Sequence, residues 1–341
     1  MTLLPEWAPQ SFILLAWPPL GGDFSPWLDA VEHTYALTVS AISQKQQVVI
    51  LCQSANHRLR IETILNNYSE IRANIRFVQA RYRDIWVRDT APLTVCQNHR
   101  ISLVDFRFNG WGGKYPYEED DALGQSLYQQ GIFGQAQYRK VNWVVEGGSL
   151  ETDGLGTLLA TRSSLQNPNR NPDPQQAEAI LAEQLGIKRF LWLDHGYLAG
   201  DDTDGHIDTL ARFCTPSTIV YQACADRSDP HYEPLQAMAD QLASFQTPHG
   251  SPYRLIALPL PKPIYNPQGR RLPASYANFL IINDAVLVPI YDDPADSEAL
   301  ACLKLAFPTR EIVAIPARSL IHQYGSLHCM TMQYPQGISI H

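Results

Sequence analysis

The chain has 341 residues, 45% hydrophobic and 18% charged, a balance that buries a sizeable core and excludes an intrinsically disordered polymer. Lysine and arginine number 26 against 34 acidic residues, a net charge of −8, so no basic excess is left to neutralise a phosphate backbone and nucleic acid is excluded as an expected partner. An acidic surface suits a cationic ligand, although solubility alone is the commoner reason for it.

Met1 to Trp17 has no basic segment ahead of its short apolar run, Phe12 to Trp17, which is far below the roughly 18 residues of a bilayer span. A chain with no signal peptide and no membrane partner is expected. Apolar and β-branched runs predict strands at Phe12 to Ala16, Val48 to Cys52, Ile75 to Val78, Ile101 to Phe106, Thr157 to Thr161, Thr218 to Gln222, Phe279 to Ile282, Ala285 to Pro289 and Ile312 to Ile315. Between them, helical spacing of apolar residues marks Leu28 to Ile42, Arg58 to Asn66, Gln175 to Leu185, Pro234 to Phe245 and Ser297 to Phe307. This interleaving predicts a mixed α/β fold. Proline and glycine gather in connections such as Asn167 to Pro174 and Pro259 to Pro273, and no low-complexity segment or charge run divides the chain. One domain over 1–341 is expected, with no strict repeat visible in the residues. The six cysteines, Cys52, Cys96, Cys214, Cys224, Cys302 and Cys329, form no Cys-x-x-Cys pair, which fits reduced thiols in a cytoplasmic protein.

Four polar constellations sit in tight-turn sequence beside predicted strands, where functional groups are commonly displayed on a rigid scaffold. They are Trp86-Val87-Arg88-Asp89-Thr90-Ala91-Pro92, Glu146-Gly147-Gly148-Ser149, Asp201-Asp202-Thr203-Asp204-Gly205-His206-Ile207-Asp208, and Gly325-Ser326-Leu327-His328-Cys329. Taken singly each is weak. An isolated Arg88-Asp89 pair is more often a surface turn, Glu146 could simply close a strand, and a lone cysteine is usually a core thiol. The aspartate-rich stretch lacks the glycine and glutamate that complete an EF-hand loop. His206 and Asp208 are not completed by the spacing of a metal site, so no metal is expected.

Together, Asp89, Glu146, His206, Asp208 and Cys329, in this order and context, resemble the agmatine deiminase family of guanidine-modifying enzymes. The resemblance continues through Leu4-Pro5-Glu6-Trp7-Ala8-Pro9-Gln10, Leu15-Ala16-Trp17-Pro18, Phe108-Asn109-Gly110-Trp111-Gly112-Gly113-Lys114-Tyr115 and Asn169-Arg170-Asn171-Pro172, from about Pro5 to Pro335. Two departures stand out: Ala91 where the family commonly has glycine, and Gly-Ser-Leu-His-Cys where Gly-Asn-Ile-His-Cys is common. The resemblance implies an α/β fold of pentein type, a five-bladed pseudo-symmetric α/β propeller with ββαβ-like units around a central active-site channel.

It also implies a cofactor-free reaction in which Cys329 attacks the guanidinium carbon and His206 carries protons. Asp89 and Asp208 then hold the planar cation in bidentate fashion, with Glu146 as a third carboxylate. Crowded carboxylates raise the thiol's pKa and a cationic substrate lowers it, so deprotonation is expected to be assisted by substrate or confined to a minor fraction of the free enzyme. Trp86 and Trp111 are candidates for packing on the substrate's methylenes, and Asp202 and Asp204 for receiving its amine tail. His328, aimed away from its neighbour by strand alternation, reads as structural. The implied substrate is agmatine and the implied setting putrescine biosynthesis. Peptidyl-arginine hydrolysis, amidino transfer to an amine, and an inactive guanidine or polyamine binder are the alternatives. Monomer and homo-oligomer both stay open.

Overall fold

A computed structural model describes residues 1–68, 70–71 and 74–338. Its strands form five separate sheets that repeat one scheme: two antiparallel strands, then a crossover to a third strand parallel to the second. A parallel neighbour cannot be reached by a tight hairpin, so each crossover carries a helix. The sheets comprise Leu93–Gln97, Arg100–Arg107 and Gln137–Val144; Glu151–Thr152, Thr157–Thr161 and Arg189–Leu193; Ala211–Thr215, Thr218–Gln222 and Arg254–Leu258; and Leu280–Ile282, Ala285–Ile290 and Glu311–Pro316. The fifth is made from both ends of the chain, Thr331–Pro335 pairing antiparallel with Gln10–Ala16, which lies parallel to Gln47–Cys52. Two sheets gain an edge strand, Thr2–Leu3 in the first and Ile75–Gln79 in the fifth. The five crossover helices are Leu123–Gln129, Ala177–Leu185, Tyr232–Ser244, Asp296–Ala306 and Leu28–Ser43. No helix of the described residues is long and apolar enough to cross a membrane.

Every predicted strand and helix is present, with small boundary shifts. The helix expected from Arg58 starts at Ala55, because the Ser54 hydroxyl accepts the His57 N–H and caps it earlier. The helix ending at Leu185 stops where Gly186 turns left-handed at φ 71°. Several strands escaped the sequence reading. Gln137–Val144 alternates between half-buried and exposed polar residues, and Ala211–Thr215 carries an arginine. These segments become strands by pairing with strongly apolar neighbours, a tertiary effect that local propensity does not contain.

The centre of the molecule is charged as well as apolar. Arg212, fully buried, donates to Glu151, to Glu6 Oε2 at 2.8 Å and to the carbonyl oxygens of Phe279 at 2.7 Å and Ala277 at 3.3 Å. Its guanidinium also lies 4.6 Å from the centre of the Phe279 ring. One side chain thereby joins the second, third and fourth sheets to the N-terminal segment. Arg212→Met is expected to cost about 3 to 5 kcal/mol, because it strands buried carboxylates that had a charged partner. An unchanged denaturant midpoint in that variant would contradict this role.

Candidate active site

Each sheet is preceded by a buried turn, and each turn raises polar side chains into one place. Asp89 lies in the short helix Val87–Thr90 ahead of Leu93, and Glu146 precedes the turn Gly147–Ser149 ahead of Glu151. His206 and Asp208 flank Ile207 ahead of Ala211, Asn278 stands ahead of Leu280, and Cys329 ahead of Thr331. Backbone bonds lock these turns to each other: Arg88 N–H donates to the Cys329 carbonyl at 3.1 Å, and His328 N–H to the Asn278 carbonyl at 3.2 Å. The Arg88-Asp89 pair is therefore no surface turn. Both residues are buried, and Arg88 reaches away from Asp89 to Gln333 Oε1 at 2.7 Å and toward Glu6 at 3.7 Å.

The sulfur of Cys329 is 3.6 Å from Asp208 Oδ2 and 3.2 Å from Asn278 Nδ2. The His206 ring stands between two carboxylates, Nδ1 3.7 Å from Asp89 Oδ1 and Nε2 3.7 Å from Glu146 Oε2. Asp89 is oriented by the Gly148 N–H at 2.9 Å and the Trp111 indole N–H at 2.9 Å. Gly148 marks the point of convergence. A Cβ there would lie 2.7 Å from His206 Nδ1, 2.9 Å from Asp89 Oδ1 and 3.1 Å from Asp208 Oδ2, so no larger residue fits. Glu146 Oε1 accepts from Arg170 Nε at 2.7 Å. Glu146 Oε2, Asp208 Oδ1 and both ring nitrogens of His206 are buried without a hydrogen-bond partner among the described residues. Buried polar atoms are normally satisfied, so unpaired acceptors beside a thiol fit a ligand rich in N–H groups.

Burial disfavours charge on His206, but Asp89, Glu146 and Asp208 outweigh it and lift the imidazole to about 9. Burial, with Asp208 and Asp89 beside it, drives the Cys329 thiol well above its ordinary value, against the smaller opposing hydrogen bonds from Ser326 and Asn278. Burial also raises Asp89, reinforced by Asp208 and Glu146. The resting site thus holds an imidazolium and a protonated thiol among carboxylates that need a cation.

Of the residues expected from sequence, Trp86, Trp111 and Asp202 line the same pocket as Cys329 and Asp89, a cleft open to solvent with ≈ 520 Å³ of empty space. Asp204 does not line it. Its carboxylate is held by Arg170, Lys114 and Asn169, and that of Asp202 by Tyr115 and Lys114. Three participants were not singled out: Asn278, Arg170 and Asp84, the last a pocket-lining carboxylate. Asn278 had a signal, since a polar residue just ahead of the strand predicted at Phe279 stands where the other units carry theirs. Arg170 had none beyond its place in Asn169-Arg170-Asn171-Pro172, and Asp84, two residues ahead of Trp86, had none.

A site with a buried thiol, an imidazolium and three carboxylates around one point is suited to C–N hydrolysis at a delocalised cation, and that places the chain among the deiminases. It belongs to the Porphyromonas-type peptidyl-arginine deiminase family, whose model matches residues 2–335. The agmatine deiminase of Ectopseudomonas mendocina is 33% identical over 97% of this chain and 94% of its own length. A solved Porphyromonas gingivalis chain, provisionally named an arginine deiminase, is 43% identical, superposes with a TM-score of 0.93 and is covered over 99% of both chains. The C. jejuni agmatine deiminase, solved with substrate bound in a Cys-to-Ser variant, is 34% identical with a TM-score of 0.91, over 99% of this chain and 97% of that one.

Proposed function

We propose that the enzyme hydrolyses the guanidinium group of agmatine to N-carbamoylputrescine and ammonia through a covalent intermediate on Cys329. The observation that carries this reading is the set of unpaired buried acceptors, Asp208 Oδ1 and Glu146 Oε2, around a thiol and a charged imidazole. The cation docks against Asp89, Asp208 and Glu146, and its charge favours loss of the thiol proton. Sulfur then bonds to the guanidinium carbon, His206 gives its proton to one nitrogen, and the C–N bond breaks to release ammonia. Water attacks the remaining amidino-thioether and yields a proton to His206. The C–S bond breaks, a ureido product leaves, and the thiol is restored. Steady formation of ammonia and N-carbamoylputrescine in equal amounts from agmatine alone tests the reading, and binding without ammonia release overturns it. The family's name favours a second substrate, peptidyl-arginine, which the same assay on a peptide separates.

Asp84 and Asp23 also line the pocket and are the carboxylates we assign to the amine tail. Among the described residues the Asp84 carboxyl has a hydrogen bond only from the Ile85 N–H at 2.7 Å, and burial together with Asp120 pushes it up to about 7. A primary ammonium there would restore its charge, whereas the α-carboxylate of free arginine would be repelled. Asp84→Asn is expected to raise KM for agmatine roughly 10- to 100-fold with a smaller change in kcat, the size of a lost charged hydrogen bond. An unchanged KM would move the amine elsewhere.

A further inference from the structure

His328 does not line the pocket of Cys329 and bridges Asp208 to Glu6. Its Nδ1 is 2.7 Å from Asp208 Oδ2 and its Nε2 is 2.6 Å from Glu6 Oε2, with the ring almost completely buried. A neutral imidazole has one N–H and meets one carboxylate; only the imidazolium donates to both. Its backbone is fixed as well, the N–H bonded to Asn278 Oδ1.

We infer that His328 is a positioning residue for the hydrolysis proposed above, gripping Oδ2 of Asp208 so that Oδ1 stays ionised and free for the guanidinium, while Glu6 from the N-terminal segment holds the histidine in place. The charges around it are arranged for this. Around Glu6, the cations Arg88 and Arg212 balance the anions Glu6 and Glu151, and a His328 that donates to both Glu6 and Asp208 adds one positive charge. Around Asp208 stand His206, Asp89, Glu146 and the Cys329 thiol. Burial works to protonate Asp208; the hydrogen bond and charge of His328, then His206 and Arg212, reverse that and keep its carboxyl below the usual value. Without the histidine, Oδ2 keeps one neighbouring donor, the Cys329 sulfur at 3.6 Å, whose proton the reaction must remove. Burial likewise opposes charge on Glu6, but Arg212, His328 and Arg88 hold it well below the normal carboxylate range, so it remains an anion for His328 to bind.

The test uses His328→Asn, His328→Gln and Glu6→Gln in the full chain. Asparagine keeps a neutral donor on the Asp208 side, and glutamine keeps one on the Glu6 side. Two readouts are followed: the Asp208 carboxyl titration by infrared difference spectroscopy, assigned with Asp208→Asn, and the low-pH break in kcat/KM for agmatine, below which protonation of Asp208 steepens the decline already set by His206 and Cys329. Both are expected to move up by about one pH unit or more in the two histidine variants. Glu6→Gln is expected to move them less in the same direction, and His328→Asn to retain more of kcat than His328→Gln. Titration midpoints unmoved in all three cooperatively folding variants would overturn the inference. A uniform loss of activity at every pH would do so too, because it reports structural damage alone. Should the parent enzyme not turn over agmatine, the proposed substrate falls while the carboxyl titration still decides the role of His328.

Discussion

Cys329→Ala is expected to lower kcat on agmatine by about ten-thousandfold or more, with the melting temperature close to that of the parent. The sulfur is the strongest nucleophile at the convergence point: Asn278 beside it is an amide, and the surrounding carboxylates, each held through one oxygen or both by Arg170, Trp111, Gly148 or His328, serve to bind the cation. The substitution removes one buried atom at the pocket wall, so a small packing change accompanies a complete chemical one. Acid-quenched parent enzyme is expected to carry, on the peptide containing Cys329, the mass of agmatine less ammonia. The alanine variant is expected to carry no adduct and still to bind agmatine. Turnover within tenfold of the parent would end the covalent mechanism.

His206→Gln is expected to reduce kcat/KM by roughly a thousandfold, the upper range for loss of a positioned acid and base. The wild-type pH profile carries the sharper content. Below about pH 9 the free enzyme holds a proton on both His206 and Cys329, since the imidazole is raised to about 9 and the thiol lies higher still. The attacking state keeps the imidazolium proton and has lost the thiol proton, so it holds one fewer. kcat/KM should therefore climb about tenfold per pH unit toward pH 9 and then level, where one proton remains and needs only to be on the ring. His206→Gln removes that break. A flat profile from neutral pH to about 9 would mean that the thiol is already ionised without substrate.

The elements legible in the sequence are those whose signal is local. Phe12 to Ala16 and Val48 to Cys52 are apolar on both faces because they lie inside, and that composition reads as strand wherever the chain places it. Gln137–Val144 and Thr331–Pro335 have no such signature, and their conformation is decided by the partners they pair with. The same division holds at the site. Cys329, His206, Asp89, Asp208 and Glu146 were legible through their motifs, and the structure brings them within contact of one point. His328 reads as structural on strand alternation, but it lies in a turn ahead of Thr331 and bonds to Asp208 Oδ2, the oxygen that the Cys329 sulfur also approaches. What it faces, Asp208 on one side and Glu6 on the other, involves residues 120 and 322 positions away in sequence.

By itself, then, the amino-acid order determined the chemical inventory: a thiol, an imidazole, carboxylates and a surplus of negative charge that together suit a delocalised cation. It determined most of the secondary structure through apolar spacing. Tertiary structure alone decided which charges are paired and which remain open, because ionisation and hydrogen bonding depend on distances of a few ångströms between groups brought from five separate sheets. That is why Asp204, acidic like Asp84, is neutralised by Arg170 and Lys114, while Asp84 lines the pocket with no salt bridge among the described residues.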